Sequence, residues 1–210
     1  NGSIDFDTGE AKFKFDEKGF PTQIIKKERL DAHRLVEECM LLANKIIAQH
    51  IGKVKKEEQS RPFIYRVHDV PDPSRLVDLA NFVKLFGFSL DVKQGVSSKA
   101  LQRLLAKVKG SEVENFINEV ALRSMAKAVY SEKNIGHYGL GFTYYTHFTS
   151  PIRRYPDLMV HRLLHEYEQG GSAERRQELA KRLSAVCRQS SDRERLAVEA
   201  ERESVKVMQV

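Results

Sequence analysis

The sequence predicts an α+β domain that is predominantly helical, and three observations predict it. Apolar residues recur at three- and four-residue spacing in several long stretches, the mark of helices with one packed face. Polar–apolar alternation, the mark of a half-buried strand, is confined to short runs in the first third and around residues 62–67. Glycines fall where the helical stretches end, at Gly52, Gly87 and the Gly170-Gly171 pair. The 210 residues suffice for one domain with its own core, and 41% apolar with 30% charged residues is a globular composition.

Taken in order, residues 11–27 predict a hairpin. Lys12-Phe13-Lys14-Phe15 alternates, Asp16-Glu17-Lys18-Gly19 supplies the turn and Thr22-Gln23-Ile24-Ile25 returns. A helix is expected over about 30–51, with Leu35, Cys39, Leu42 and Ile46 as its core face and Val36, Met40 and Ile47 widening the stripe. Residues 53–60 read as a charged loop and 62–67 as a strand. Pro71-Asp72-Pro73-Ser74 starts a helix through about residue 86, because proline is pre-set for a first helical turn. Two shorter helices are expected at about 97–108 and 112–128, and residues 130–149, rich in Gly, Tyr, His and Thr, as loop with short strand pieces. A further helix is expected from 151 to about 168. The last and longest carries Leu179, Leu183, Val186, Ser190, Arg193, Ala197, Ala200, Ser204 and Val207 on one stripe, and the small and polar members predict close packing against a neighbour.

The net charge of +6 favours a polyanionic partner, and the whole surplus resides in residues 51–110, with twelve Lys and Arg against six Asp and Glu. No apolar run approaches the ~20 residues a bilayer-spanning helix needs, and no signal peptide opens the chain, so no membrane partner is expected. Cys39 and Cys187 lie in helical patterns without CxxC spacing and are expected to be reduced, core or near-core thiols. A cytoplasmic location is the matching expectation.

Residues 145–164, YTHFTSPIRRYPDLMVHRLL, concentrate the chemistry. Ser150 followed by Pro151 is a helix-start signal, since serine caps free N–H groups and proline fits the first position. Arg153 and Arg154 then fall in the opening turn, where free N–H groups and the helix dipole favour an anion and guanidinium forks suit phosphate oxygens. Pro156 removes a donor and kinks this helix or restarts it at 155–157. An amphipathic surface helix with solvated arginines accounts for the same composition, so residue chemistry alone leaves both readings open.

The order THFTSPIRRYPDL…HRLL resembles the signature of the ribonuclease II/R family, the RNB exoribonucleases, and the bacterial ribonuclease R type most of all. Residues 1–44, 61–90 and 122–142 resemble successive parts of the same catalytic domain, so the resemblance covers nearly the whole chain. It implies a processive 3′-to-5′ exoribonuclease that takes single-stranded RNA, without DNA specificity, and releases nucleoside 5′-monophosphates by two-metal-assisted hydrolysis with Mg²⁺. It puts Arg153 at the catalytic arginine that holds the scissile phosphate. Arg154 falls at the neighbouring basic position, for a phosphate contact or a structural ion pair. Glu37, which shares one side of the first helix with His33 and Asn44, falls at a carboxylate that contacts the terminal nucleotide; by its residues alone this stripe reads as solvent-exposed. Glu201 falls at the second pocket carboxylate, although Glu199-Ala200-Glu201-Arg202-Glu203 also reads as a salt-bridged surface. Phe6 falls at the aromatic that stacks on the 3′-terminal bases, a contact worth ~1–3 kcal/mol per base.

Two-metal hydrolysis requires a cluster of carboxylates. The resemblance places that cluster on an aspartate-rich motif near the start of the catalytic domain, and nothing in this sequence matches it. Asp5 and Asp7 would share one face of a strand and offer oxygen ligands suited to Mg²⁺, but the family does not use this pair for metal. His161 and His165, at i and i+4, are expected to pack or face solvent rather than to bind zinc. Residues 1–210 are therefore expected to be the C-terminal portion of an RNB catalytic domain, without the metal-binding motif or the cold-shock-like and S1 domains. The expected partners are single-stranded RNA and the missing N-terminal half, and the chain alone is expected to be inactive. A catalytically dead RNB-like module that binds RNA or protein is the alternative.

Overall fold

The computed structural model describes residues 4, 11–26, 30–53, 61–93, 95–170 and 172–209. β1 (Ala11–Phe15) and β2 (Pro21–Lys26) form the antiparallel hairpin, with Phe13 opposite Ile24. Asp16 Oδ1 closes its turn by accepting from the Lys18 and Phe20 N–H groups at 2.9 and 2.8 Å. α1 (Asp31–Gly52) follows, then β3 (Tyr65–Val67). α2 (Pro73–Lys84), α3 (Ser98–Val108) and α4 (Glu114–Ser124) come next, and β4 (Val129–Ser131) returns antiparallel to β3. A 3₁₀ turn at Tyr138–Leu140 precedes α5 (Tyr155–Glu168) and α6 (Ala173–Gln209). At 1.5 Å per residue the 37-residue α6 is about 55 Å long. The class is predominantly helical α+β, and no described helix is long and apolar enough to cross a membrane.

Local chemistry explains most boundaries. Asp72 caps α2 by accepting from the Ser74 N–H at 2.8 Å, with Pro73 in the first turn, and Ser97 caps α3 through the Ala100 N–H at 3.2 Å. Two apolar clusters hold these elements. One joins Ala48 and Ile51 of α1, Phe63 and Ile64 ahead of β3, Val160 and Leu163 of α5, and Leu179, Leu183 and Cys187 of α6. The other joins Leu79 and Val83 of α2, Leu101 and Val108 of α3, and Ile117 and Ala121 of α4. Each large side chain so buried contributes about 1.5–3 kcal/mol.

The structure corrects several expectations. Leu35, Leu42 and Ile46 are 67%, 56% and 52% exposed, and Val36, Cys39 and Met40 are exposed too. α1 instead buries Asn44, Ala48 and Ile51, with Ile47 partly covered, because it meets the rest of the fold through its C-terminal half and that edge. Cys187 is buried as expected, and burial pushes its thiol up to about 12. The strand expected at 62–67 pairs only over 65–67, and α4 stops at Ser124 because residues 129–131 are drawn into pairing with β3. α5 begins at Tyr155 rather than at 151: Pro156 occupies its first turn, where a missing N–H costs nothing, and residues 151–153 form a separate turn. On α6 the packed stripe ends at Cys187, and Arg193, Ala197, Ala200, Ser204 and Val207 are exposed.

Gly52 closes α1 against two tyrosines. A Cβ added there meets the Tyr144 ring at 2.6 Å and the Tyr65 hydroxyl at 3.0 Å. Gly52→Ala is therefore expected to lower stability by about 1–3 kcal/mol through overpacking, read as a lower urea midpoint. An unchanged midpoint would mean that the Tyr144 ring swings aside freely.

Candidate functional site

The peptide leading into α5 is fixed from three sides. Asn44 of α1, buried, donates through Nδ2 to the Tyr145 hydroxyl at 3.2 Å and accepts the Phe148 N–H at 3.0 Å. Thr146 donates its hydroxyl to the Ile64 carbonyl at 2.6 Å. The His161 ring lies 2.9 Å from the Phe148 carbonyl and stacks on the Phe148 ring at 4.0 Å. These bonds tie the loop to α1, to α5 and to the residue ahead of β3, so the loop is held up to Ser150.

Asp157 then clamps the turn itself. Its carboxylate is fully buried, and Oδ1 accepts both the Ser150 N–H and the Arg154 Nη2–H at 2.8 Å. Charge-assisted bonds of this length are the stronger kind. Arg154 thus makes an ion pair, and its side chain is only 21% exposed. Arg153, one residue earlier, is exposed and makes no ion pair among the described residues.

This turn separates two clefts. The smaller, about 280 Å³, brings Glu37, Leu41 and Asn44 of α1 together with Ser150, Arg153 and Arg154. The larger, about 750 Å³, lies between the same arginines and α6, with Tyr130, Tyr155, Arg193 and Glu201 on its walls. α6 is held at that distance by β4. The Tyr130 N–H donates to Ser191 Oγ at 3.0 Å, and Arg66 of β3 donates to Glu194 at 2.6 Å while its guanidinium lies 4.7 Å over the Tyr130 ring. Four of the five sequence-predicted site residues, Glu37, Arg153, Arg154 and Glu201, therefore converge on one turn and its flanking clefts. The fifth, Phe6, lies outside the described residues, as do Asp5 and Asp7.

Asp157, Tyr130 and the Arg66–Glu194 pair belong to the site without having been singled out. Asp157 left a signal, since an acid three residues after an arginine is a helical pair spacing. Tyr130 and Arg66 left none, because a long-range strand pairing brings them there.

Behind the turn lies a set of neutral histidines. The Tyr130 hydroxyl is 2.9 Å from His147 Nδ1, and His147, Tyr145, His137 and His68 follow edge to face at centroid distances of 5.8, 5.2 and 5.1 Å. Burial, reinforced by the Arg154 and Arg66 charges, pushes His147 from 6.5 down to about 2; burial, with His68 beside it, pushes His137 down to about 3. Both rings stay neutral in the folded protein and take up a proton only on unfolding below pH 6.5. The unfolded chain therefore binds more protons between about pH 6.5 and 3, and stability falls as pH falls through that window, by up to about 1.4 kcal/mol per ring per pH unit. Urea midpoints are expected to drop steadily below pH 6, and His147→Gln to flatten the slope; constant midpoints from pH 7 to 5 would contradict this.

Among the described residues no group of three or more His, Cys, Asp and Glu side chains is placed to hold a metal ion. Glu37 and Glu201 stand in different clefts, and Glu194, the other carboxylate of the larger one, is paired with Arg66, so the described residues do not fit a two-metal centre.

A model of the family described as the RNB domain matches residues 1–170. Ribonuclease R 1 of Lactococcus lactis is 45% identical over 208 residues, covering 98% of this chain and 25% of that protein. Ribonuclease R of Aquifex aeolicus is 40% identical over 204 residues, covering 97% of this chain and 28% of that protein. The solved structure of Mycoplasma genitalium RNase R in complex with ribose methylated single-stranded RNA superposes with a TM-score of 0.90 at 28% identity, over 99% of this chain and 32% of that one. The chain thus spans little more than a quarter of these two curated relatives. With the family match extending over most of its length, and the fold shared end to end, the chain belongs to the RNB domain family.

Proposed function

We propose that this chain is the C-terminal portion of the catalytic domain of a cytoplasmic 3′-to-5′ exoribonuclease, which hydrolyses single-stranded RNA to nucleoside 5′-monophosphates. The observation that carries the reading is the Asp157-clamped turn, which presents Arg153, without an ion pair among the described residues, between one cleft that holds Glu37 and another that holds Glu201. Arg153 holds the scissile phosphate bidentately and steadies the negative charge that builds on it, while Arg154, neutralised by Asp157, shapes the turn. Glu37 and Glu201 accept hydrogen bonds from the sugar or base of the terminal nucleotide, and Phe6 stacks on the terminal bases. Mg²⁺ belongs to this reading, with ligands from outside this chain. The relatives' ribonuclease R names and the RNA-bound Mycoplasma genitalium structure support it.

The test uses purified 1–210 with a 3′-labelled single-stranded RNA and Mg²⁺. The expected result is binding without hydrolysis, with log K falling linearly as log salt rises because bound phosphates release counterions. Release of nucleoside monophosphates by this chain alone would overturn the placement of the metal ligands elsewhere. Failure to bind RNA at low salt would remove the RNA assignment.

A further inference from the structure

Along α1, no residue before Asn44 is buried; Asn44, at 3% exposure, is the first, and Ala48 and Ile51 follow it. The part of the helix that carries Glu37 therefore takes its direction from the anchored part, which begins at Asn44. Both side-chain bonds of Asn44 run to the loop that leads into Arg153. Oδ1 accepts the Phe148 N–H at 3.0 Å, and since a backbone N–H can only donate, that bond fixes the orientation of the amide. Nδ2 then faces the Tyr145 hydroxyl and donates to it at 3.2 Å. Both partners are themselves held: the Tyr145 ring lies edge to face with His137 and His147, and the Phe148 ring stacks on His161. Glu37 stands seven residues before Asn44, two helical turns and about 10 Å along the axis, on the same side of α1. Glu37, Asn44, Tyr145 and Arg153 all line the smaller cleft. A tilt of α1 by about 10° around Asn44 would carry Glu37 about 2 Å from its place.

We infer that Asn44 is a positioning residue for the reaction: its two bonds lock α1 to the loop and so set the separation of Glu37 from Arg153. This rests on the roles given to Glu37 and Arg153 above and deepens them. A buried amide satisfied on both atoms adds little net stability, because folding exchanges its bonds to water for bonds to protein. What it adds is direction, since two bonds from one amide to one loop allow a single setting of helix against loop. Misplacing a group by about 1 Å can cost about 10²-fold in rate, so this setting bears on turnover far more than on folding. The affinity for the strand is carried by its phosphates and is not touched. What drifts without Asn44 is the seat of the terminal nucleotide relative to the phosphate on Arg153, so the loss falls on the chemical step.

A positioning role and a merely structural one separate in a double-mutant cycle. Single-turnover degradation of a 5′-labelled single-stranded RNA is measured over a range of protein concentrations, using the full-length protein that carries this sequence. The variants are Asn44→Leu, Glu37→Ala and the two combined, with circular dichroism melts checking that each folds. Asn44→Leu is expected to lower the saturating rate about tenfold or more, while the concentration giving half that rate stays within about threefold of wild type. In the Glu37→Ala background the same substitution is expected to change the rate by less than about twofold, because the group it positions is gone. Tyr145→Phe, which removes only the acceptor for Nδ2, is expected to give a smaller loss of the same kind. Equal factors in the two backgrounds would make Asn44 merely structural and overturn the inference, as would a wild-type rate for Asn44→Leu. If Asn44→Leu does not fold, Tyr145→Phe takes its place in the cycle, and a wild-type rate there overturns the inference. If Glu37→Ala itself matches wild type, the reading of Glu37 fails and takes the inference with it.

Discussion

Arg153→Ala is expected to lower the rate of RNA degradation about 10²-fold or more, with no loss of thermal stability. The two halves of that expectation come from the same observation. Arg153 is exposed and makes no ion pair among the described residues, so nothing in the fold depends on its guanidinium. Its backbone is nonetheless held, because Ser150 before it is tied to Asp157 and Arg154 after it is tied to the same oxygen. A fixed backbone and an uncommitted charge mean that the interaction energy is reserved for the ligand. Arg153→Lys is expected to recover only part of the rate, since a compact ammonium cannot reproduce the fork that grips two phosphate oxygens. The measurement is single-turnover degradation of a labelled RNA by the protein that carries this sequence, with melts of each variant alongside. A rate within threefold of wild type would remove Arg153 from the chemistry.

Asp157→Ala is expected to give the largest loss of stability, about 3 kcal/mol, or roughly 6–12 °C in Tm for a domain of this size. The carboxylate is fully buried, and deleting it strands the Arg154 guanidinium and the Ser150 N–H together. Arg154 keeps some contact with solvent, which places the loss at the lower end of what breaking a buried pair costs. Asp157→Asn retains an acceptor of the same shape and loses the charge, so an intermediate loss is expected. Equal Tm values for Asp157→Ala and wild type would show that the clamp does not hold the turn.

The helical stretches, the hairpin and the arginine turn were all legible in the sequence, since each rests on local rules. Alternation over 12–15 and the Asp16–Gly19 turn made a hairpin, Asp72-Pro73 and Ser97 capped helices, and Gly52 and Gly87 ended them. The restart of a helix at Tyr155 was one of two outcomes that Pro156 allowed, and the tertiary pull of Asp157 on Ser150 selected it. The larger error was the packed face of α1. Leu35, Leu42 and Ile46 form the more apolar stripe, but the side carrying Asn44 and Ala48 is the one covered, because Asn44 satisfies both its donor and its acceptor on the Tyr145–Phe148 strand of chain. That choice turns Glu37, on the same side, toward Arg153 rather than to open solvent.

By itself the sequence determined the class of fold, the order of its helices and the concentration of phosphate chemistry at Ser150–Asp157, because propensity, capping and proline geometry act over a few residues. Only the tertiary structure decided that Arg154 is neutralised while Arg153 is not, and that Glu37 and Glu201, far apart in the chain, stand in clefts on either side of one turn. The physical reason is that charge pairing and burial depend on which elements meet. Here the pairing of β3 with β4 and the buried bonds of Asn44 and Asp157 bring them together, and neither leaves a periodic mark in the sequence.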